Sequence, residues 1–352
     1  MLGIGPLNTA SQATAWASGM RTMPAFSIGT GGAVSRAIRG SRLVQPADYH
    51  LPHYRMSPEW VRRNSLARLR RRMTHLLNES NVPLGVDPRT QSFVDQLAGW
   101  DDELRAAIVF HGSDARDPAQ SMAEMTHSYF HDVPADWLQH QGAKASRNRS
   151  QVRDAGLPTF VTTPDLLSHV EGAVLLPLSV DTDHWKMPIA TMRGRRLRVL
   201  HQPSQRDPDV KGTRFIDPVL RDMQDEGLIE YVHREVVSSS QMYELISKVD
   251  IVVDQLLAGA YGVTAVEALA AGRVVVANVG ASSLQVFGER LPVVNCTPDT
   301  FREVMRDLVN EAPEELARRA HDSRAHALRW HSGVAAAAAL GAFLDGRDSM
   351  AV

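Results

Sequence analysis

Residues 250–278 constrain the fold of this chain more than any other stretch. They read Asp250-Ile251-Val252-Val253-Asp254, then a loop ending in Gly259-Ala260-Tyr261-Gly262. Val263-Thr264-Ala265-Val266-Glu267-Ala268-Leu269-Ala270-Ala271-Gly272 follows, then Arg273 and a second apolar run to Asn278. A short β-branched run, a glycine-bearing loop, a helical stretch stopped by glycine and another β-branched run predict one β-loop-α-β unit. Such a unit gathers backbone N–H groups at the helix N-terminus, where they suit a phosphate. One acidic residue, Glu267, falls in the expected first turn of that helix.

The same alternation extends along the chain. Strands are expected at 1–4, 25–28, 74–78, 106–110, 159–161 and 172–176, and helices at 9–20 and 58–72. Residues 117–157 read as helical and irregular. A polar break at Arg193-Gly194-Arg195-Arg196 precedes a cleaner pattern. Strands are expected there at 197–201, 229–232, 250–254, 274–278 and 292–295, and helices at 212–226, 239–247, 263–271 and 299–310, with closing helices at 312–327 and 333–344. This alternation predicts an α/β protein with parallel sheets covered on both faces. Ligands of such sheets bind beyond the carboxyl ends of the strands. A length of 352 residues accommodates two domains. The expected division is 1–188 and 189–330, with a closing helix and tail over 331–352.

Composition removes several classes. A formal net charge of −2 gives no overall case for nucleic acid. The single cysteine, Cys296, supports neither an internal disulfide nor a thiolate metal cluster. The sequence shows no charged-then-apolar leader and no run near the ~20 apolar residues of a membrane span, so a cytoplasmic protein is expected. The motifs of zinc proteases, serine hydrolases and P-loop proteins are missing. One segment, 60–72, is strongly basic: Arg62, Arg63, Arg68, Arg70, Arg71 and Arg72 surround Trp60, Leu66 and Leu69. An amphipathic basic helix of this kind can lie on an anionic lipid surface or meet a phosphate-bearing acceptor. The usual meaning of such a run is a solvated face.

Four groups could carry chemistry. Glu267 could accept hydrogen bonds from a ribose diol, or close a capping box with Thr264. Arg206 and Lys211 follow the strand 197–201 and precede a helix. Cations there suit a leaving group that gains negative charge; the alternative is a solvated loop. His111-Gly112-Ser113-Asp114 ends a strand in the other half. His111 could bond a sugar hydroxyl or serve structure. Asn8 and Gln12 lie between the first strand and helix, where they could contact an acceptor or cap the helix.

Several segments, in their order, resemble the motif blocks of family-four-type glycosyltransferases of the GT-B fold, the bacterial group 1 type. They are Phe110-His111-Gly112-Ser113-Asp114-Ala115-Arg116, Thr163-Pro164-Asp165-Leu166 and Leu176-Pro177-Leu178-Ser179-Val180-Asp181. His201-Gln202-Pro203-Ser204 with Arg206 and Lys211-Gly212-Thr213 follows, then Asp254-Gln255 with Tyr261-Gly262 and Glu267-Ala268-Leu269-Ala270-Ala271-Gly272. The resemblance covers most of the chain. It implies two Rossmann-like domains whose parallel sheets face each other across a cleft. It implies a hexosyltransferase-like enzyme that retains anomeric configuration and uses no dedicated metal or other cofactor. The partners would be a nucleoside-diphosphate sugar and a small-molecule, glycan or lipid-linked acceptor. Glu267 would hold the ribose. Arg206 and Lys211, with the N–H groups of Gly262, Val263 and Thr264, would hold the diphosphate. The base would lie near 234–237, against Val236. His111 and Asp114 would stand at the transferred sugar, and Asn8 and Gln12 on the acceptor side. The chain departs from the pattern at two places. Many relatives carry two glutamates with seven residues between them, and Gly259 stands where the first would be. Ser11 stands where many have glycine. A sugar-nucleotide epimerase of the same fold and a non-catalytic nucleotide-sugar-binding subunit are the alternatives.

Overall fold

The computed structural model describes residues 1–30, 46–100, 103–189, 192, 194–203, 208–233, 239–288 and 290–346. Within them lie two parallel sheets. The first holds β1 (Leu2–Gly5), β2 (Ala25–Thr30), β3 (Tyr49–Leu51), β4 (His75–Glu79), β5 (Arg105–Phe110), β6 (Thr159–Val161) and β7 (Val174–Leu175), in the order β3-β2-β1-β4-β5-β6-β7. The second holds β8 (Leu197–His201), β9 (Ile229–His233), β10 (Ile251–Val253), β11 (Val274–Ala277) and β12 (Val293–Asn295), in the order β12-β11-β10-β8-β9. All described pairings are parallel. In each sheet the order reverses beside a central strand, which opens a crevice at the carboxyl ends.

The first domain's helices are α1 (Gln12–Gly19), α2 (Glu59–Arg70), α3 (Phe93–Leu97), α4 (Pro118–Glu124) and α5 (Ala135–Asp154). Those that follow are α6 (Thr213–Asp225), α7 (Ser239–Ser247), α8 (Val263–Ala270), α9 (Ala281–Phe287), α10 (Phe301–Asn310), α11 (Pro313–Trp330) and α12 (Val334–Asp345). Helices cover both faces of the second sheet, so β10 and β11 are buried throughout. This is why their sequences are unbroken Val/Ile runs rather than alternating ones.

Several expected elements shift at their ends: β2 runs to Thr30, β7 shrinks to Val174–Leu175 and α1 starts only at Gln12. β4 runs one residue further than expected, to Glu79, and α11 continues to Trp330. Three short elements, β3, α3 and α9, have no counterpart in the expected pattern. Each is too brief to establish a period.

The chain passes between the two halves twice. On the first passage Leu178, Trp185 and Met187 pack into the core of the second sheet. On the second, α12 returns and buries Leu340 and Phe343 beside Leu2, Ile4 and Trp16 of the first. The return needs a close approach of backbones: a Cβ on Gly19 would lie 3.1 Å from the Gly333 Cα. The two passages are joined. Val180 donates its N–H to the His331 carbonyl at 2.9 Å, and His331 Nδ1 lies 2.7 Å from the Leu178 carbonyl. Burial lowers the His331 pKa to about 4. The ring is therefore neutral, with Nδ1–H donating to Leu178 and Nε2 accepting from the Tyr261 hydroxyl at 2.9 Å.

Candidate functional site

The first half of the site is built on the ends of β1, β4 and β5, which are neighbours in the sheet. Glu79, the last residue of β4, is completely buried. Its carboxylate accepts backbone N–H groups from Leu7, Asn8 and Thr9 at 2.9, 2.6 and 3.0 Å. His111 Nε2 lies 3.0 Å from the same carboxylate. Burial alone would push the Glu79 pKa up, but His111 and the backbone donors outweigh it and hold it below the usual value. Burial likewise opposes charge on His111, yet Glu79 and Asp114 raise its pKa above normal. Nε2 thus carries the hydrogen given to Glu79. Among the described residues Nδ1 meets no partner. Trp16 stacks on the ring, with centroids 5.9 Å apart, and fixes its plane.

The other expected residues of this half sit as supports. Asp114 accepts N–H groups from His111 and Gly112 and the hydroxyl of Ser80. It shapes the His111 turn. Gln12 is buried, taking the Ser179 N–H at 2.8 Å and giving its amide to the Ser179 carbonyl at 3.2 Å. Asn8 exchanges hydrogen bonds with Thr14. Its loop is conformationally costly: Asn8, Ala10 and Ser11 have φ of 50°, 48° and 65°. Ser11 holds a left-handed conformation in which glycine is unstrained, at about 1 kcal/mol or more.

The second half centres on the N-terminus of α8. Gly262 is its N-cap, and no side chain caps the helix. The capping-box reading of Thr264 and Glu267 is thereby overturned: Thr264 is already inside the helix, and Glu267 lies beyond the first turn. The N–H groups of Val263 and Thr264 face outward without protein acceptors among the described residues, as the first turn of a helix requires. The Gly262 N–H is already used, donating to Asp254 at 2.7 Å. Lys211 Nζ lies 3.1 Å from the other Asp254 oxygen and 3.3 Å from the Thr264 hydroxyl. Asp254 is buried and so offsets a cation held against the positive end of the helix. His201, with its pKa lowered to about 4 by burial and by Lys211, ties this loop to β10 and to Thr213.

Glu267 is different. No described residue hydrogen-bonds its carboxyl group, part of which remains accessible. The protein packed around it raises its pKa to about 8, and Asp254 adds to the rise while Lys211 opposes it. Arg206 and Val236, with the rest of 234–237, lie outside the described residues.

No protein-family model and no curated protein sequence matches the chain. Solved structures do. The Anabaena protein HepE, solved with UDP and glucose, matches at a TM-score of 0.60 and 12% identity, covering 98% of both chains. Sucrose-phosphate synthase from Thermosynechococcus elongatus matches at 0.58 and 12%, again over 98% of both chains. A glycosyltransferase from Rickettsia africae matches at 0.57 and 11%, over 98% of this chain and 97% of the other. This chain has the GT-B glycosyltransferase fold.

Across the GT-B cleft, residues of the first half reach the loop before α8. Tyr129 donates its N–H to the Leu257 carbonyl at 3.2 Å. Tyr129 and Phe130 pack against Leu257, with Val210 and Phe215 alongside. His127 meets Asp299 at 2.7 Å, and Arg214 pairs with Asp132. Gly259, at the position of the missing glutamate, has φ +70°, and a Cβ there would lie 2.8 Å from the Met125 sulfur. The departure is thus built into the backbone and into the facing domain.

Sequence reasoning missed Glu79 and Trp16. The first had a signal: an acidic residue ending an apolar run, His75-Leu76-Leu77-Asn78-Glu79, is rarely buried without a partner.

Proposed function

We propose that the protein transfers a sugar from a nucleoside-diphosphate sugar to an acceptor, with retention of configuration and without a dedicated metal. One observation carries the reading: Glu267, whose carboxyl group meets no hydrogen-bond partner among the described residues and has a raised pKa, stands beside Lys211 and the open N–H groups of α8. Leaving such a group unsatisfied costs stability, and a ribose diol would satisfy it. Lys211, Val263 and Thr264 would hold the diphosphate, where charge grows as the leaving group departs. The GT-B neighbours solved with UDP make uridine diphosphate the first ligand to try.

In this reading the cleft orients donor and acceptor so that a two-body encounter becomes a positioned one. The bond from the anomeric carbon to the diphosphate oxygen breaks. The acceptor oxygen bonds to the same face, and its proton passes to the leaving diphosphate. His111 Nδ1, without a partner among the described residues, would meet the transferred sugar, and Glu79 sets its tautomer and charge. Asp114, Asn8 and Gln12 position this half rather than react.

The test is titration with UDP, GDP and ADP, followed by assay with a panel of their sugars. One nucleotide should raise the melting temperature. Lys211→Ala should weaken its binding at least about tenfold, the loss of roughly one charged hydrogen bond, and Glu267→Gln, which removes one acceptor oxygen, about threefold or more. Unchanged affinity in both variants sinks the assignment. Gly259 favours one second reading, a nucleotide-sugar-binding subunit: binding without turnover across a broad acceptor panel would select it.

A further inference from the structure

Helix α2 has two usable faces. Leu66 and Leu69 face inward and pack against the first sheet's core. The outer face begins with Trp60, 68% exposed, and just before the helix stands Met56, 71% exposed. Exposed apolar side chains of this size scattered singly need no explanation. Here two of them sit four residues apart at the start of the helix, with exposed Arg63 close by and exposed Arg68 and Arg71 toward its far end. Among the described residues Arg68 and Arg71 have no acidic partner. Arg63 faces only Glu59, at 3.7 Å. A cationic, aromatic face stands out on a chain of formal net charge −2.

Topology places this face. The loop holding Met56 leaves the carboxyl end of β3, and α2 starts there before running back to β4. Met56 and Trp60 therefore stand on the edge of the sheet that also carries Glu79 and His111. β3 and β5 are four places apart in the strand order, about 19 Å at usual strand spacing. No described helix is long and apolar enough to cross a membrane.

We propose that this rim of the cleft docks on an anionic lipid surface. Met56 and Trp60 enter the headgroup layer, where an indole is at home, and Arg63, Arg68 and Arg71 lie over lipid phosphates. Nucleic acid fits less well, because the apolar pair is at the helix end, away from most of the arginines. The docking is independent of the glycosyl-transfer reading. If both hold, the acceptor half of the cleft opens toward the membrane, which suits an acceptor with a lipid anchor.

The test is co-sedimentation of the full chain with phosphatidylcholine vesicles, plain or containing about 30% phosphatidylglycerol. The mixed vesicles should bind at least about tenfold more protein, and high salt should release most of it. The pair Met56→Ser and Trp60→Ser should lower binding about fivefold or more at unchanged charge. Arg68→Glu with Arg71→Glu should lower it at least about tenfold. All four positions are exposed, so melting temperatures should stay near wild type, and the nucleotide-induced melting shift should persist. Equal binding to both vesicle types, wild-type binding by both double variants, or retention on a single-stranded oligonucleotide without vesicle binding would each overturn the proposal.

Discussion

The two halves of the cleft handle a carboxyl group packed in the protein, fully buried at Glu79 and partly at Glu267, in opposite ways. Glu79 receives three backbone N–H groups and His111, and stays charged. Glu267 receives none, and its pKa rises to about 8. One carboxylate is part of the architecture; the other has no hydrogen-bond partner among the described residues. Burial of an acidic residue is therefore not informative by itself. Its hydrogen-bond ledger is, because a satisfied charge stabilises a fold and an unsatisfied one costs it.

The sharpest way to break this contrast is to remove Glu79. Glu79→Ala would leave three N–H groups and a histidine without their acceptor, and should cost about 3–5 kcal/mol in urea unfolding. The pH limits follow from the two shifts. Glu79 has a lowered pKa, so its contribution is present above the unfolded value and is lost as pH falls through the folded one. His111 has a raised pKa, so its contribution is present below the unfolded value and is lost as pH rises through the folded one. A loss below 1 kcal/mol would reduce Glu79 to a bystander.

Restoring the family's first glutamate comes next. Gly259→Glu must adopt φ +70° and displace Met125, and should destabilise by about 1–3 kcal/mol. Adding Met125→Ala should recover part of that loss. No recovery would mean that the backbone alone excludes a side chain.

Glu267→Gln should move stability the other way. The folded pKa is raised above the usual 4.5. Wild type therefore loses stability as pH climbs from the unfolded value toward about 8, and the glutamine variant does not. The variant should melt higher at pH 8, by about 1–2 kcal/mol after allowance for partial exposure. The gap should close near pH 4. A variant that melts lower at pH 8 would mean that Glu267 has a structural partner after all.

The smallest effect belongs to the cleft clasp. His127 meets an exposed Asp299, so His127→Ala should change stability by no more than about 1 kcal/mol. A larger loss would make the clasp, rather than the apolar contact of Tyr129 and Phe130, the main tie between the halves.

Much of the fold was legible because parallel strands buried on both faces must be apolar throughout, as 251–253 and 274–277 are. The helix after Gly262 was legible from its glycine stop. Tyr49-His50-Leu51 was not, because three residues carry no period and pairing with β2 decides their state. In the site, Glu267 and Lys211 could be singled out because they flank one local unit. Glu79 showed only as an acidic end to an apolar run, and its role was hidden because its donors lie about seventy residues away at 7–9. The role of Gly259 was visible only as a missing glutamate; its partner, Met125, comes from the other domain.

The paired crossings at Leu178, Val180 and His331 act as a double cable. A single connection would let one half of the molecule swing in any direction. Two connections fastened together leave a door-like rotation about the line between them. Tyr261, held by His331 and His326, sits at that line and also begins the turn into α8. The same tyrosine thereby ties the paired crossings to the start of the helix that carries Glu267.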